Sequence, residues 1–184
     1  MAGSGRRPLD GHALAADGRY HRLGARVLLV DDSGSVPRVL MMRGHDPDQP
    51  ERSFWFTPGG GLESGETTRA AAVRELEEET GLVLEEHELE GPVWIRTAIF
   101  DFASLPYSQL EEIFVARLAD AERREQRESA WTEQETDTID DVVWLTLAQL
   151  AASEIEVFPV RLRESWDDFL PWDGETRNMG EVDE

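Results

Sequence analysis

The chain of 184 residues contains no cysteine and no lysine. Without cysteine it can form no disulfide bond, thiolate zinc site or thiol nucleophile. Without lysine, amine-based catalysis is excluded, whereas its arginines can still make bidentate contacts with phosphate. No apolar run approaches the ~18 residues of a membrane span, and no signal peptide is evident. We therefore expect a soluble, cytoplasmic protein.

Positive charge is scarce, with 18 basic residues against 39 acidic ones and a formal net charge of -21. This balance argues against broad binding to nucleic acid or to an anionic membrane, because both need basic clusters. A polyphosphate ligand would approach against the overall field, so local arginines or metal ions would have to compensate. The length and the 40% hydrophobic content favour one globular domain.

One segment, residues 60–82, has the sequence GGLESGETTRAAAVRELEEETGL. From Thr67 to Thr80 there is no proline or glycine and alanine is common, while Gly81 supplies a C-terminal stop. The pattern predicts a helix over 67–80. Its N-cap oxygen would come from Ser64, Thr67 or Thr68.

Glu75, Glu78 and Glu79 fall on one face of this helix. Like charges at this spacing destabilise a helix by about 0.2–0.5 kcal/mol per pair, so the cluster favours a positive partner. Arg74 can reach one or two of these carboxylates but cannot neutralise all three. Oxygen ligands without nearby histidine suit Mg²⁺ or Mn²⁺. The alternative is a solvated acidic face, which most charge runs are.

The approach to the helix favours a ligand site. Trp55–Thr57 is typical of a short buried strand, and Pro58–Gly61 predicts a sharp turn that lets backbone come close to a ligand. This turn would lie beside the helix N-terminus, where anions are favoured. Phosphate and metal would then bind next to each other.

The spacing of these residues resembles a complete Nudix box, with every defining position filled by Gly60, Glu66, Arg74, Glu75, Leu76, Glu78, Glu79, Gly81 and Leu82. The resemblance implies an α/β fold, a Nudix-type α/β/α sandwich with a mixed β-sheet. It also implies metal-dependent hydrolysis of a nucleoside diphosphate linked to another group. The cofactor would be Mg²⁺ or Mn²⁺, and the substrate would be a small-molecule nucleoside diphosphate derivative. Homodimers are common in the family, so this chain would be compatible with one.

The same resemblance assigns roles. Glu78 and Glu79 would be the central metal ligands, the Gly60 carbonyl another, and Glu75 a ligand or the general base held by Arg74. Glu66 would support the loop or a second metal.

The resemblance to the Nudix family also implies candidates outside the box. Glu111 is expected on a strand near the metal as a catalytic residue, with Glu112 as its competitor and a surface glutamate as the alternative. Glu133 and Glu135 are either general bases on a late loop or solvated acids. Arg43 and His45 would lie near the substrate or be ordinary loop residues.

Apolar patterns predict strands at 25–30, 39–42, 94–102, 111–118 and 142–145. A polar loop is expected at 45–52, a turn at 105–107, a short helix after Thr146 and a final helix over 159–170. The expected organisation is a flexible arm (1–20), a Nudix domain (21–170) and an acidic, frayed tail (171–184).

Three alternatives to a hydrolase are compatible with the fold. A sensor of this fold would bind a nucleotide or sugar nucleotide without cleaving it, but such proteins usually have an eroded box. An isomerase would need the missing cysteine, and an RNA decapping enzyme is disfavoured by the charge. Trp94 and Trp131 would either stack on a base or pack in the core.

Overall fold

A computed structural model describes residues 8–121 and 126–184. Ten strands are present in these ranges, namely β1 (Ala13–Leu14), β2 (Tyr20–Asp31), β3 (Arg38–Asp46), β4 (Gln49–Phe56), β5 (Gly59–Gly61), β6 (Glu90–Phe102), β7 (Leu105–Leu118), β8 (Ile139–Thr146), β9 (Glu156–Phe158) and β10 (Arg177–Asp183). The α-helices are α1 (Thr68–Thr80), α2 (Glu133–Thr138) and α3 (Leu147–Ala151), with 3₁₀ turns at Glu86–Glu88 and Trp166–Asp168.

The strands form one mixed sheet in the order β10-β6-β7-β2-β3-β4-β9, with β1 and β5 added to β2 and β8 added to β3. Strands β2 and β7 run parallel along their whole common length, from Tyr20 opposite Tyr107 to Asp31 opposite Leu118. Strands β6 and β7 form an antiparallel hairpin. The short strand β5 pairs with β2 at Gly24–Arg26, which brings the start of the box against the centre of the sheet.

Apolar residues are buried on both faces of the sheet. On one face, Ala72 and Leu76 of α1 pack with Leu29 and Phe114. On the other face, the core contains Ile113 and residues from α3 and the turns that follow, namely Leu150, Leu162 and Phe169. Covering layers on both faces agree with the α/β/α sandwich predicted above.

Helix α1 forms where the sequence predicts it. Thr67, among the three N-cap candidates, accepts a hydrogen bond from Ala70 N at 3.1 Å. At the other end, Gly81 has φ of 75° and its N–H donates to the Glu77 carbonyl at 2.8 Å. The left-handed conformation ends the helix, and glycine adopts it with the least strain.

Three local predictions are wrong. The polar stretch 45–52 is a hairpin of β3 and β4 rather than a loop, because both strands pair across it. The β6–β7 turn lies at Ala103–Ser104, before the expected turn at 105–107. Residues 159–170 form turns rather than a helix, and these turns bury Leu162 and Phe169 in the core. Tertiary packing outweighs the weak local helix signal there.

The described parts of both terminal segments contain strands that the sequence did not predict. Residues 1–7 of the expected arm lie outside the described residues, but Leu9 N donates to the Tyr107 hydroxyl at 3.0 Å and β1 pairs with β2. The tail does not fray, since β10 adds parallel to the free edge of β6. Within 8–121 and 126–184, no helix has the length and apolar character needed to cross a bilayer.

Candidate active site

A cleft of about 560 Å³ opens beside α1. One wall is acidic and is formed by α1 and α2. The floor carries charged and amide side chains from β2, β6 and β7, and the far end is apolar. Its size and mixed lining are typical of a small-molecule site.

Glu75, Glu79 and Glu135 form the acidic cluster, in which one carboxylate oxygen from each lies within 4.8 Å of the others. The first two project from α1, and the third comes from α2. Three oxygen donors at this separation suit a hard divalent cation.

The carboxylates of α1 are held in place by specific contacts. Glu79 accepts a hydrogen bond from Gly59 N at 2.8 Å. Burial and the neighbouring Glu75 raise the pKa of Glu79 well above its usual value. Burial also raises the pKa of Glu75, although Arg74 opposes this shift. A bound cation would favour the ionised form of both groups.

Arg74 organises the rest of the box. It donates to both oxygens of Glu66 at 2.9 Å, to Glu75 at 3.0 Å and to the carbonyl of Gly61 at 2.8 Å. It also donates to Glu78 at 2.9 Å. Arg74 therefore contacts Glu66, Glu75 and the Gly61 carbonyl at the same time.

Glu78 is more exposed than Glu75 on the same helix. Its side chain is 44% exposed and paired with Arg74, and the described acidic cluster contains Glu135 in its place. Glu78 still lines the cleft. Position on the helix face alone did not separate the buried carboxylates from the exposed one.

The three glycines of β5 fit between side chains on both sides. A Cβ on Gly60 would meet the Glu75 carboxyl at 2.4–2.5 Å, whereas a Cβ on Gly59 or Gly61 would meet Arg26 or Arg22 within 2.7 Å. Successive residues of a strand face opposite sides, so each glycine clears one neighbour. The box glycine thus lets backbone and carboxylate approach closely.

Contacts at the end of α1 bring Glu135 to the cluster. Trp131 Nε1 donates to the Glu79 carbonyl at 2.7 Å, and Ala130 N donates to the Glu78 carbonyl at 2.6 Å. Thr132 then caps α2 in a capping box with Glu135. Of the two late-loop candidates, Glu135 lines the cleft and Glu133 does not. The Thr-x-x-Glu spacing was the available sequence signal.

Glu111 is fully buried in the cleft floor. Arg96 donates to one oxygen at 2.7 and 2.9 Å, and Arg26 donates to the other at 2.8 Å. Burial alone would raise the pKa of Glu111, but the two arginines lower it to about 2. Its competitor Glu112 points away, outside the cleft lining, and accepts a hydrogen bond from Thr68 on the α1 side of the sheet.

Weaker candidates are not part of the cleft. His45 contacts Asp140 at 3.0 Å, Arg43 lies 4.0 Å from the same carboxylate, and neither lines the cleft. Trp94 is buried in the core against Phe169. Trp131 contacts the end of α1, as described above.

Sequence reasoning missed the arginines of the floor and the phenylalanines at the apolar end. Arg26 and Arg96 lie within largely apolar stretches of β2 and β6, and a charge in a buried strand is itself a signal of a partner. The apolar end is lined by side chains from three strands, namely Phe54, Phe56, Phe100, Phe102 and Phe158.

Comparison with known proteins is consistent with this geometry. The family model described as the NUDIX domain matches residues 20–165. The chain belongs to the Nudix family. The resemblance of residues 60–82 to the Nudix box is thereby confirmed, with Gly60, Arg74 and Glu79 at the positions described above.

Curated Nudix relatives match the chain over part of their length. An RNA pyrophosphohydrolase of Dinoroseobacter shibae is 43% identical over 72 residues, which cover 38% of this chain and 41% of that protein. An uncharacterized Nudix hydrolase, YvcI, of Bacillus subtilis is 38% identical over 65 residues, 35% of each. The chain therefore spans about two fifths of the length of these relatives.

Solved structures show the same Nudix fold. A MutT Nudix hydrolase from Burkholderia pseudomallei aligns with a TM-score of 0.52 and 22% identity, covering 78% of this chain and 95% of that one. The Nudix domain of Shewanella oneidensis NrtR, complexed with ADP ribose, aligns with a TM-score of 0.56 and 18% identity, covering 82% and 88%.

Proposed function

We propose that this Nudix protein hydrolyses the diphosphate bond of a nucleoside diphosphate linked to another group, with Mg²⁺ or Mn²⁺ as cofactor. The observation that carries the proposal is the acidic cluster on α1 and α2, held against the glycine strand β5. Membership of the Nudix family and the all-oxygen donor set support the same chemistry.

Glu75, Glu79 and Glu135 would hold the cation, together with the carbonyl of Gly60. Glu78 lies on the same helix face and lines the cleft, so it would complete the set from the substrate side. Bound divalent ions supply charge neutralisation on the phosphate oxygens and lower the pKa of water. Arg74 would orient Glu75 while holding Gly61 and Glu66 in place.

A general base must have a free oxygen within reach of the attacking water. Glu75 and Glu135 face the cleft beside the proposed cation site, and we assign the base to this pair. The oxygens of Glu111 are taken by Arg26, Arg96 and Gln109. We therefore propose that Glu111 contributes by fixing the arginines of the floor.

The apolar end would bind the organic part of the substrate. Phenylalanine rings offer broad apolar faces on which a base or another planar group can stack. Two relatives guide the choice of substrates: the NrtR domain was solved with ADP ribose, and one curated relative is named an RNA pyrophosphohydrolase.

The test is a substrate panel with Mg²⁺ or Mn²⁺. It should contain nucleoside triphosphates, ADP-ribose, nucleotide sugars, dinucleoside polyphosphates and 5′-triphosphorylated RNA, with release of phosphate or mononucleotide as the readout. Metal-dependent turnover of at least one compound is expected, and Glu79→Gln should abolish it. Micromolar binding with no turnover of any compound would instead indicate a nucleotide sensor and reject the hydrolase.

A further inference from the structure

The side chain of Glu184 lies in the floor of the cleft, far in sequence from the Nudix box. Glu184 N donates to the Ile99 carbonyl at 2.9 Å and so continues the pairing of β10 with β6. Its side chain is only 4% exposed. One oxygen accepts from Val160 N at 3.1 Å and forms an ion pair with Arg96.

Arg96 links Glu184 to Glu111. Its side chain is likewise 4% exposed, and two of its nitrogens donate to one Glu111 oxygen. The other Glu111 oxygen accepts from Arg26. The four side chains form a buried row of alternating charge, with two arginines and two glutamates.

The row ends at the glycine strand. Arg26 Nη1 donates to the Thr57 carbonyl at 2.8 Å, two residues before Gly59. Gly59 in turn packs against Arg26 and donates its N–H to Glu79. Continuous contacts therefore connect Glu184 to the most buried carboxylate of the acidic cluster.

We propose that Glu184 is a positioning residue for the acidic cluster, acting through Arg96, Glu111 and Arg26 on the strand that orients Glu79. This inference rests on the proposed function for its effect on turnover. Without the Glu184 carboxylate, Arg96 loses its second anionic partner and must share the Glu111 carboxylate with Arg26, whose side chain is 17% exposed. A buried arginine without an anionic partner of its own is costly, so the row and the glycine strand rearrange.

The experiment compares Glu184→Gln with Asp183→Asn, a change of equal charge at the exposed neighbouring residue. Mn²⁺ affinity is measured by titration calorimetry, and kcat and KM are measured with the best substrate of the panel. Loss of a group that hydrogen-bonds a metal ligand costs about 10–100-fold in affinity or activity, and Glu184 lies several contacts further out, so the lower end of that range applies. We expect about tenfold weaker Mn²⁺ binding and lower kcat in Glu184→Gln, with Asp183→Asn like the wild type.

A double-mutant cycle separates this route from general destabilisation. If Glu184 acts through Arg96, adding Glu184→Gln to Arg96→Gln has little further effect on Mn²⁺ affinity. Additive losses would overturn the proposal, as would wild-type Mn²⁺ affinity in folded Glu184→Gln. Should the glutamine variant not fold, Glu184→Asp is used instead, because aspartate keeps the charge but has a shorter side chain. Wild-type Mn²⁺ affinity and kcat in Glu184→Asp would also overturn the proposal. The calorimetry needs no turnover, so failure of the hydrolase proposal is distinguishable.

Discussion

The carboxyl group of Glu75 lies where a side chain on Gly60 would begin. A Cβ on Gly60 would meet the Glu75 Cδ at 2.4 Å and both oxygens at 2.5 Å. Real Cβ atoms do not approach this closely, so any larger residue at position 60 must displace the carboxylate. The first glycine of the Nudix box therefore leaves the space that the Glu75 carboxylate occupies.

Gly60→Ala is expected to push Glu75 away from Glu79 and Glu135. A misplacement of about 1 Å at a reacting centre costs on the order of 100-fold in turnover, whereas overpacking costs only about 1–3 kcal/mol of stability. Turnover and the melting temperature are measured side by side. Gly34→Ala is the control, because a Cβ at position 34 would lie 3.7 Å from the nearest neighbouring atom, an ordinary contact distance. Wild-type turnover in Gly60→Ala would show that Glu75 has no role at the reacting centre.

Glu79→Gln is expected to lower turnover by about three orders of magnitude. The amide oxygen can still accept from Gly59, but it carries no charge for a cation. Stability without metal should change little, since burial raises the pKa of Glu79 and a neutral side chain avoids that cost. The matched control is Glu77→Gln on the same helix, whose carboxylate forms a more exposed pair with Arg127. Near-normal turnover in Glu79→Gln would exclude this residue as a metal ligand.

The parts of the site predicted from sequence are those fixed by local contacts. Helix α1 depends on Thr67, Gly81 and the alanine-rich stretch between them, all of which lie within one segment. Its acidic face follows from helical spacing. Local rules therefore gave the α1 carboxylates and the glycines beside them.

The missing parts depend on contacts between distant segments. Glu135 reaches Glu79 because Trp131 binds the end of α1, 52 residues away in sequence. Glu184 reaches Arg96 because β10 adds to the edge of β6. Spacing along the chain contains no information about such pairings, and a polar tail has no apolar pattern to reveal its strand.

Glu111→Gln should reduce stability in a pH-dependent manner. Arg26 and Arg96 outweigh burial and lower the pKa of Glu111 to about 2 in the folded state, below its usual 4.5. The ionised carboxylate therefore stabilises the fold above pH 4.5, and this stabilisation is lost as the pH falls towards 2. Breaking a buried pair costs about 3–5 kcal/mol at neutral pH.

Urea unfolding at several pH values checks this prediction. The difference in unfolding free energy between wild type and Glu111→Gln should be largest near pH 7 and shrink below pH 4.5. Glu112→Gln, on the opposite face of β7, is the matched control for replacing one glutamate of this strand by glutamine. A difference that stayed constant with pH would contradict the assignment of the charge to Glu111.

Mg²⁺ is expected to raise the melting temperature. Burial raises the pKa values of both Glu75 and Glu79, and repulsion from Glu75 raises that of Glu79 further, so the metal-free protein loses stability as the pH rises through the raised values. A bound cation reverses that loss. At a Mg²⁺ concentration 100 times the dissociation constant, binding adds about 2.7 kcal/mol to the free energy of unfolding. The gain should grow with pH, vanish with EDTA and be absent in Glu79→Gln. A melting temperature indifferent to both Mg²⁺ and EDTA would argue against a metal site.

Phe54 is expected to contribute to substrate binding rather than to the chemical step. Its ring lies 5.8, 6.4 and 5.6 Å from the rings of Phe56, Phe102 and Phe158, at the apolar end of the cleft. Phe54→Ala should raise KM about tenfold and leave kcat nearly unchanged. The rise in KM corresponds to a stacking contribution of roughly 0.5–1.5 kcal/mol plus the lost apolar contact. Phe54→Leu keeps the apolar contact but not the aromatic face, so a loss confined to substrates with a planar base would identify stacking. A drop in kcat with unchanged KM would instead place Phe54 in the support of the acidic cluster.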